Sequence, residues 1–181
     1  MLYASVDLET SGLDPTWCQI LEIGIVIDDL DAPQNPNPPT FHAYIKHRRI
    51  QGEPYALNLN KEIIAIIAEG KHPDLVTPEH VGPALVAFLQ QHFPSQKVTA
   101  AGKNFQGFDK KFLDHTLPDF DFKLHHRTLD PVTNFYRKGD KQLPDLTECL
   151  KRANITLPFN IHTAVDDAKA VIALIRHIHP C

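Results

Sequence analysis

The chain has no cysteine framework, no apolar run long enough to cross a bilayer and no surplus of positive charge. Its three cysteines, Cys18, Cys149 and Cys181, are odd in number and widely spaced. They match neither a disulfide scaffold nor a zinc-ligand pattern and read as reduced bystanders. The longest apolar stretches, such as residues 63–68, fall far short of the ~20 residues that a spanning helix needs. No basic segment leading to a small-residue cleavage site follows Met1, so no export signal is visible and the cytoplasm is the expected location. Net charge is −4 with histidines neutral, which argues against a protein that coats long duplexes by phosphate neutralisation alone. A nucleic-acid enzyme stays open. A pocket that binds divalent cations must itself be acidic, and the metals then supply the positive charge that meets a phosphate. Internal repeats and low-complexity segments are also lacking.

What is present is the composition of a globular protein, 43% hydrophobic and 22% charged, in a length that suits one domain over residues 1–181. Residues 2–9 alternate, with Leu2, Ala4, Val6 and Leu8 on one side and Tyr3, Ser5, Asp7 and Glu9 on the other, which predicts a strand. Residues 20–27 and 41–47 predict two more and so an antiparallel meander. Between them, residues 28–40 hold four prolines and read as an extended surface loop. Beyond Gly52 the period lengthens. Helices are expected at 60–69, 78–92, 107–115, 145–152 and 162–178, with short strands at 98–101 and 124–129. Three strands followed by alternating helices and strands is an α/β order with a mixed sheet.

Three segments carry chemistry. Asp7 and Glu9, two residues apart on a strand, point to the same side with Cα atoms roughly 6.6 Å apart, which suits a cation clamp; the alternative is the exposed face of an edge strand. The abrupt Thr10-Ser11-Gly12-Leu13 turn places that pair near a loop mouth. Asp109 falls on the apolar arc of its helix beside Phe105, Phe112 and Leu113, where a carboxylate needs a partner; a metal, a salt bridge or a helix-cap role would each provide one. On the last helix Asp167 lies on the inward arc near Leu174 and Ile178, whereas Asp166 lies on the other side with Lys169 and suits the helix N-terminus. His162, five residues before Asp167, can hang over such a site.

Together, Asp7-Leu8-Glu9-Thr10-Ser11-Gly12-Leu13, the run from Asn104 through Asp109 to Leu113, and His162-Thr163-Ala164-Val165-Asp166-Asp167-Ala168 resemble the three motifs of the His-containing branch of the DEDD exonuclease superfamily. That branch includes oligoribonuclease and the proofreading subunit of DNA polymerase III. The motifs span residues 7 to 168 in the family's order. Gly52 to Leu57 and Leu143-Pro144-Asp145-Leu146 are weaker echoes. Ser11 stands where many members carry a second threonine, and Asp166 beside Asp167 blurs the choice of ligand.

The resemblance implies a ribonuclease-H-like α/β fold and 3′→5′ release of nucleoside 5′-monophosphates from single-stranded nucleic acid with a free 3′ end, either DNA or short RNA. In that picture Asp7, Glu9, Asp109 and Asp167 hold two Mg²⁺ or Mn²⁺ ions and His162 is the general base. Asn104 and the Thr10 backbone would hold the terminal nucleotide, while Leu13 and Phe105 or Phe108 wedge against or stack on bases. Core packing is the alternative for the phenylalanines. Two rivals remain from the residues: a non-catalytic nucleic-acid-binding module, which has no need of a complete carboxylate set, and a metal-dependent phosphatase, which leaves Leu13 and the aromatics unexplained.

Overall fold

A computed structural model describes residues 1–94, 97–117, 124–159 and 162–180. Three strands form the expected antiparallel meander: β1 (Leu2–Thr10), β2 (Ile20–Asp29) and β3 (Thr40–Ile45). Two-residue strands extend it at both edges in parallel, β4 (Leu75–Val76) against β3 and β5 (Ala100–Ala101) against β1. The order is β4-β3-β2-β1-β5. Helices α1 (Pro54–Leu59), α2 (Lys61–Glu69), α3 (Pro78–His92), α4 (Asp109–Thr116), α5 (Leu146–Arg152) and α6 (Ala164–Ile178) surround this mixed sheet. None among the described residues is long and apolar enough to cross a membrane.

The alternation in β1 suggests one covered face, but both are covered. Ala4, Val6 and Leu8 pack with Val81, Leu85, Phe105 and Phe112 on one side. On the other, Tyr3 joins the core built by α5 and α6, and Ser5, fully buried, donates to the Ala168 carbonyl at 2.8 Å. β1 is thus covered by helices on both faces, and Asp7 and Glu9, beyond the short pairing with β5 at Ala4 and Ser5, do not lie on an exposed face. A third, smaller core joins Leu21 and Tyr44 to Ile63 and Ile67 of α2.

Several expected boundaries differ. Residues 124–129 form only isolated bridges, at Leu124 and Leu129, and the 3-10 turn Pro131–Phe135 follows them. The 98–101 strand shrinks to two residues plus a bridge at Val98. The last helix starts at Ala164, since Thr163 takes the cap position and its hydroxyl accepts from the Asp166 N–H. Helix α1 lies in what the sequence offers only as a connecting segment; its single apolar-rich turn and a half is too short for a periodicity signal, though Pro54 at its first position is a start signal.

Candidate functional site

Asp7 and Glu9 sit near the end of β1 on the face covered by α6. Their partners across the ladder are Gly24 and Glu22, and the register shifts between Glu9 and Thr10. Gly24 is the contact that sets the geometry. A Cβ there would meet the Ala164 carbonyl carbon at 2.2 Å and the Val165 nitrogen at 2.4 Å, so only glycine lets the first turn of α6 rest directly on β2 beside Asp7. Asp167 lies in that turn. One carboxylate oxygen each from Asp7, Glu9 and Asp167 falls within 4.8 Å of the others. Asp109, the first residue of α4, is 3% exposed and close enough to be the largest charge acting on Asp7.

The cluster is electrostatically costly without a cation. Burial raises Asp7 well above the ordinary carboxylate range, and the charges of Asp109, Asp167, Glu9 and Glu22 push the same way. Burial, then Asp167 and Glu22, bring Glu9 up to about 7 against an opposing contact from Asn60. Asp109 is also lifted to about 7 by burial, with its own N–H and that of Leu8 working in the other direction. Asp167 is raised by burial, opposed by the His162 backbone. Carboxylates that repel one another and converge on a common point are a fit for a hard divalent cation, whose preferred ligands are oxygens.

His162 has φ 109°, a left-handed backbone rare for a side-chain-bearing residue. Its N–H donates to Asp167 Oδ1 at 3.0 Å, so the residue is tied to the cluster through its main chain. It is exposed and borders a cleft of about 540 Å³ with Thr147, Lys151, Thr156 and Phe159. Asp166, as its projection suggests, turns away and pairs with Lys169 at 3.2 Å.

The residues expected to touch substrate divide. Leu13 is 73% exposed. Phe108 is half-buried, its ring 5.0 Å from that of Phe112. Phe105 is enclosed in the core at 2% exposure, so its ring offers no free face for a base, and of the two readings weighed for it the packing one fits. Thr10 is buried; its hydroxyl donates to Gly12 O and its carbonyl accepts from Asn60 at 3.0 Å. Asn104 has φ 57° and its N–H donates to Asp130 Oδ2 at 2.9 Å.

Gly24 and Glu22 escaped the sequence reading, as did the bonding role of Ser11. Ser11, fully buried, donates to Gln51 O at 2.7 Å, accepts from the Gln19 N–H at 2.8 Å and receives the Glu53 N–H on its carbonyl, so it knits the turn after Glu9 to the segment before α1. Gly24 carried a signal, since a glycine inside a strand marks a close approach. Glu22 carried none. It is fully buried, with Oε1 2.8 Å from His42 Nε2, and His42 Nδ1 is 2.7 Å from Asp74 Oδ2. Burial opposes the charge of His42, yet hydrogen bonds to Glu22 and Asp74 raise its pKa above the ordinary value.

Residues 5–175 match the exonuclease family. Oligoribonuclease of Colwellia psychrerythraea is 27% identical over 176 residues, covering 94% of this chain and 90% of the relative. Oligoribonuclease of Halorhodospira halophila is 25% identical over 172 residues, covering 95% and 89%. Among solved structures, E. coli Exonuclease I in complex with a dT13 oligonucleotide aligns with TM-score 0.69 at 18% identity over 99% of this chain. Exonuclease I of Methylocaldum szegediense gives 0.67 and 19%, again over 99% of this chain. The chain spans 41% of each of those two structures, and the shared part is the ribonuclease-H-like α/β fold.

Proposed function

The chain belongs to the exonuclease family as a DEDD-type 3′→5′ exonuclease resembling oligoribonuclease, and on that premise we propose that it hydrolyses single-stranded nucleic acid, DNA or short RNA, with Asp7, Glu9, Asp109 and Asp167 holding two Mg²⁺ or Mn²⁺ ions. The observation that supports this is the convergence of Asp7, Glu9 and Asp167 oxygens within 4.8 Å, beside a fourth buried carboxylate. Such ions supply positive charge that activates a water and steadies the leaving 3′ oxygen.

The chain's own groups do the rest. His162, exposed beside the cluster, accepts the proton of the attacking water at an imidazole nitrogen. Leu13 and Phe108 offer apolar surface to the terminal bases, and Thr10 and Asn104 hold the terminal nucleotide. Residues 1–181 act as one exonuclease domain. The test is purified protein with single-stranded RNA and DNA, each blocked at the 3′ or the 5′ end, with Mg²⁺, Mn²⁺ or EDTA. Mononucleotide release only from free 3′ ends, and only with metal, is expected. Full activity in excess EDTA, or equal attack on 3′-blocked strands, would overturn the reading.

A further inference from the structure

Glu22 is the one described residue with a buried side-chain polar atom that has no hydrogen-bond partner, its Oε2. An orphaned carboxylate oxygen inside a protein costs a large part of its lost hydration, so a fold that keeps one has a use for it. The placement of the oxygen gives the use. Glu22 lies directly across the ladder from Glu9, and directly opposed residues of an antiparallel pair share a sheet face with Cα atoms about 4.5–5.5 Å apart. That face carries Asp7 and Glu9, and the first turn of α6, with Asp167, lies on it at Gly24.

The other end of the side chain is fixed. Both ring nitrogens of His42 face carboxylate oxygens, Glu22 Oε1 at 2.8 Å and Asp74 Oδ2 at 2.7 Å. Ionised carboxylates only accept, so with Glu22 and Asp74 both charged the two ring nitrogens donate and His42 is a cation between two anions. The contact fixes one oxygen of Glu22 and leaves Oε2 unpartnered, and the charge of Glu22 registers on both Asp7 and Glu9.

We propose that Glu22, clamped by His42 and Asp74, is a positioning residue of the cation site, offering its free oxygen to the hydration water of an ion held by Asp7, Glu9 and Asp167. The proposal rests on the cation-binding reading of that cluster. It assigns a part to β2 and β3, which supply none of the four carboxylates.

Calorimetric titration of wild type and Glu22→Gln with Mn²⁺ alone, without substrate, tests it. Glutamine keeps the shape and an oxygen for His42 but removes the charge. A role confined to holding β2 against β3 leaves Mn²⁺ affinity unchanged. The cation role weakens it by about 10–100-fold, the usual effect of losing a group that orients a metal site from behind its ligands, and turnover then returns as Mn²⁺ is raised. Wild-type affinity in Glu22→Gln overturns the proposal. A wild-type chain that takes up no Mn²⁺ removes the cation site itself and the proposal with it. If circular dichroism shows Glu22→Gln unfolded, Asp74→Asn decides. It loosens the clamp from a half-exposed position, so weaker Mn²⁺ binding supports the proposal and unchanged binding overturns it.

Discussion

Glu9→Gln makes the cost of the carboxylate cluster measurable. Without metal, the folded state lifts Glu9 from 4.5 to about 7, by burial first and then by Asp167 and Glu22. Because the folded value lies above the unfolded one, the folded state binds more protons between those limits, and its stability falls as pH rises through that window. At about 1.4 kcal/mol per unit, the loss from this one group is roughly 2 kcal/mol at pH 6 and about 3 kcal/mol at pH 8. Glutamine has no proton to lose. In EDTA at pH 8 the variant should therefore be more stable than wild type by about 3 kcal/mol, or roughly 6–12 °C in melting temperature for a chain of this length. At pH 4, where the glutamate is protonated in both states, the two should coincide. With Mn²⁺ the order should reverse, because the variant has lost a ligand and gains less from binding. Melting curves followed by circular dichroism at pH 4, 6 and 8, with EDTA or Mn²⁺, give the full comparison. A variant that melts at or below wild type at pH 8 in EDTA would refute the argument that these carboxylates are held together against repulsion.

The remaining predictions address the other parts of the site. Asp167→Asn should abolish hydrolysis of a 3′-labelled strand, whereas Asp166→Asn, which removes only the pair with Lys169, should keep most of it; the reverse order would mean that the first turn of α6 faces the other way. His162→Ala should lose roughly 10²–10⁴ in kcat while still taking up Mn²⁺ by calorimetry, and near-normal turnover would remove it from the role of general base. Gly24→Ala should cost about 1–3 kcal/mol or more through overpacking and weaken Mn²⁺ binding as well, because the displaced backbone at Ala164 and Val165 carries Asp167; a variant with normal stability in urea melts would show that α6 shifts freely.

Much of this was legible because two periodicities dominate. Alternation in residues 2–9 and the apolar, β-branched run 20–27 yield β1 and β2, and the alternation in β1 puts Asp7 and Glu9 on one side. The 3.6-residue phase of α6 separates Asp167 from Asp166, since Leu174 and Ile175 are buried and Lys169 is half-exposed. The two-residue strand β4 and the six-residue helix α1 are too short for a period to repeat and so leave no clear pattern, whereas β5 lies inside the strand expected at 98–101. Phe105 and Phe108 lie on the approach to α4, where helical projection does not apply, and which ring is enclosed depends on α3 and β1 packing around it. Glu22 reads as an ordinary polar position between Leu21 and Ile23. That it is fully buried follows only from the sheet order, which places β2 between β1 and β3.

A cluster that repels itself needs other contacts to hold its elements in place, and α6 shows where they are. Its first turn lies on Gly24, its middle accepts the Ser5 hydroxyl at Ala168, and near its end Arg176 pairs with Asp28 of β2 at 2.7 Å. Asp28 also accepts the Tyr3 hydroxyl at 2.7 Å. The side chains of Asp28 and Arg176 are 5% and 12% exposed, so this is a pair shielded from solvent, in which loss of either partner leaves a buried charge at a cost of about 3–5 kcal/mol. That is of the same order as the penalty worked out for Glu9. The helix is thus fixed to β1 and β2 at three points, the first two beside the carboxylates and the third far from them. The position of Asp167 is set by packing and hydrogen bonding of the first turns and by an ion pair about two and a half turns away, and does not depend on a cation to draw it in. A metal-free chain therefore keeps these carboxylates close together, and the binding energy of a cation would not be consumed in assembling them.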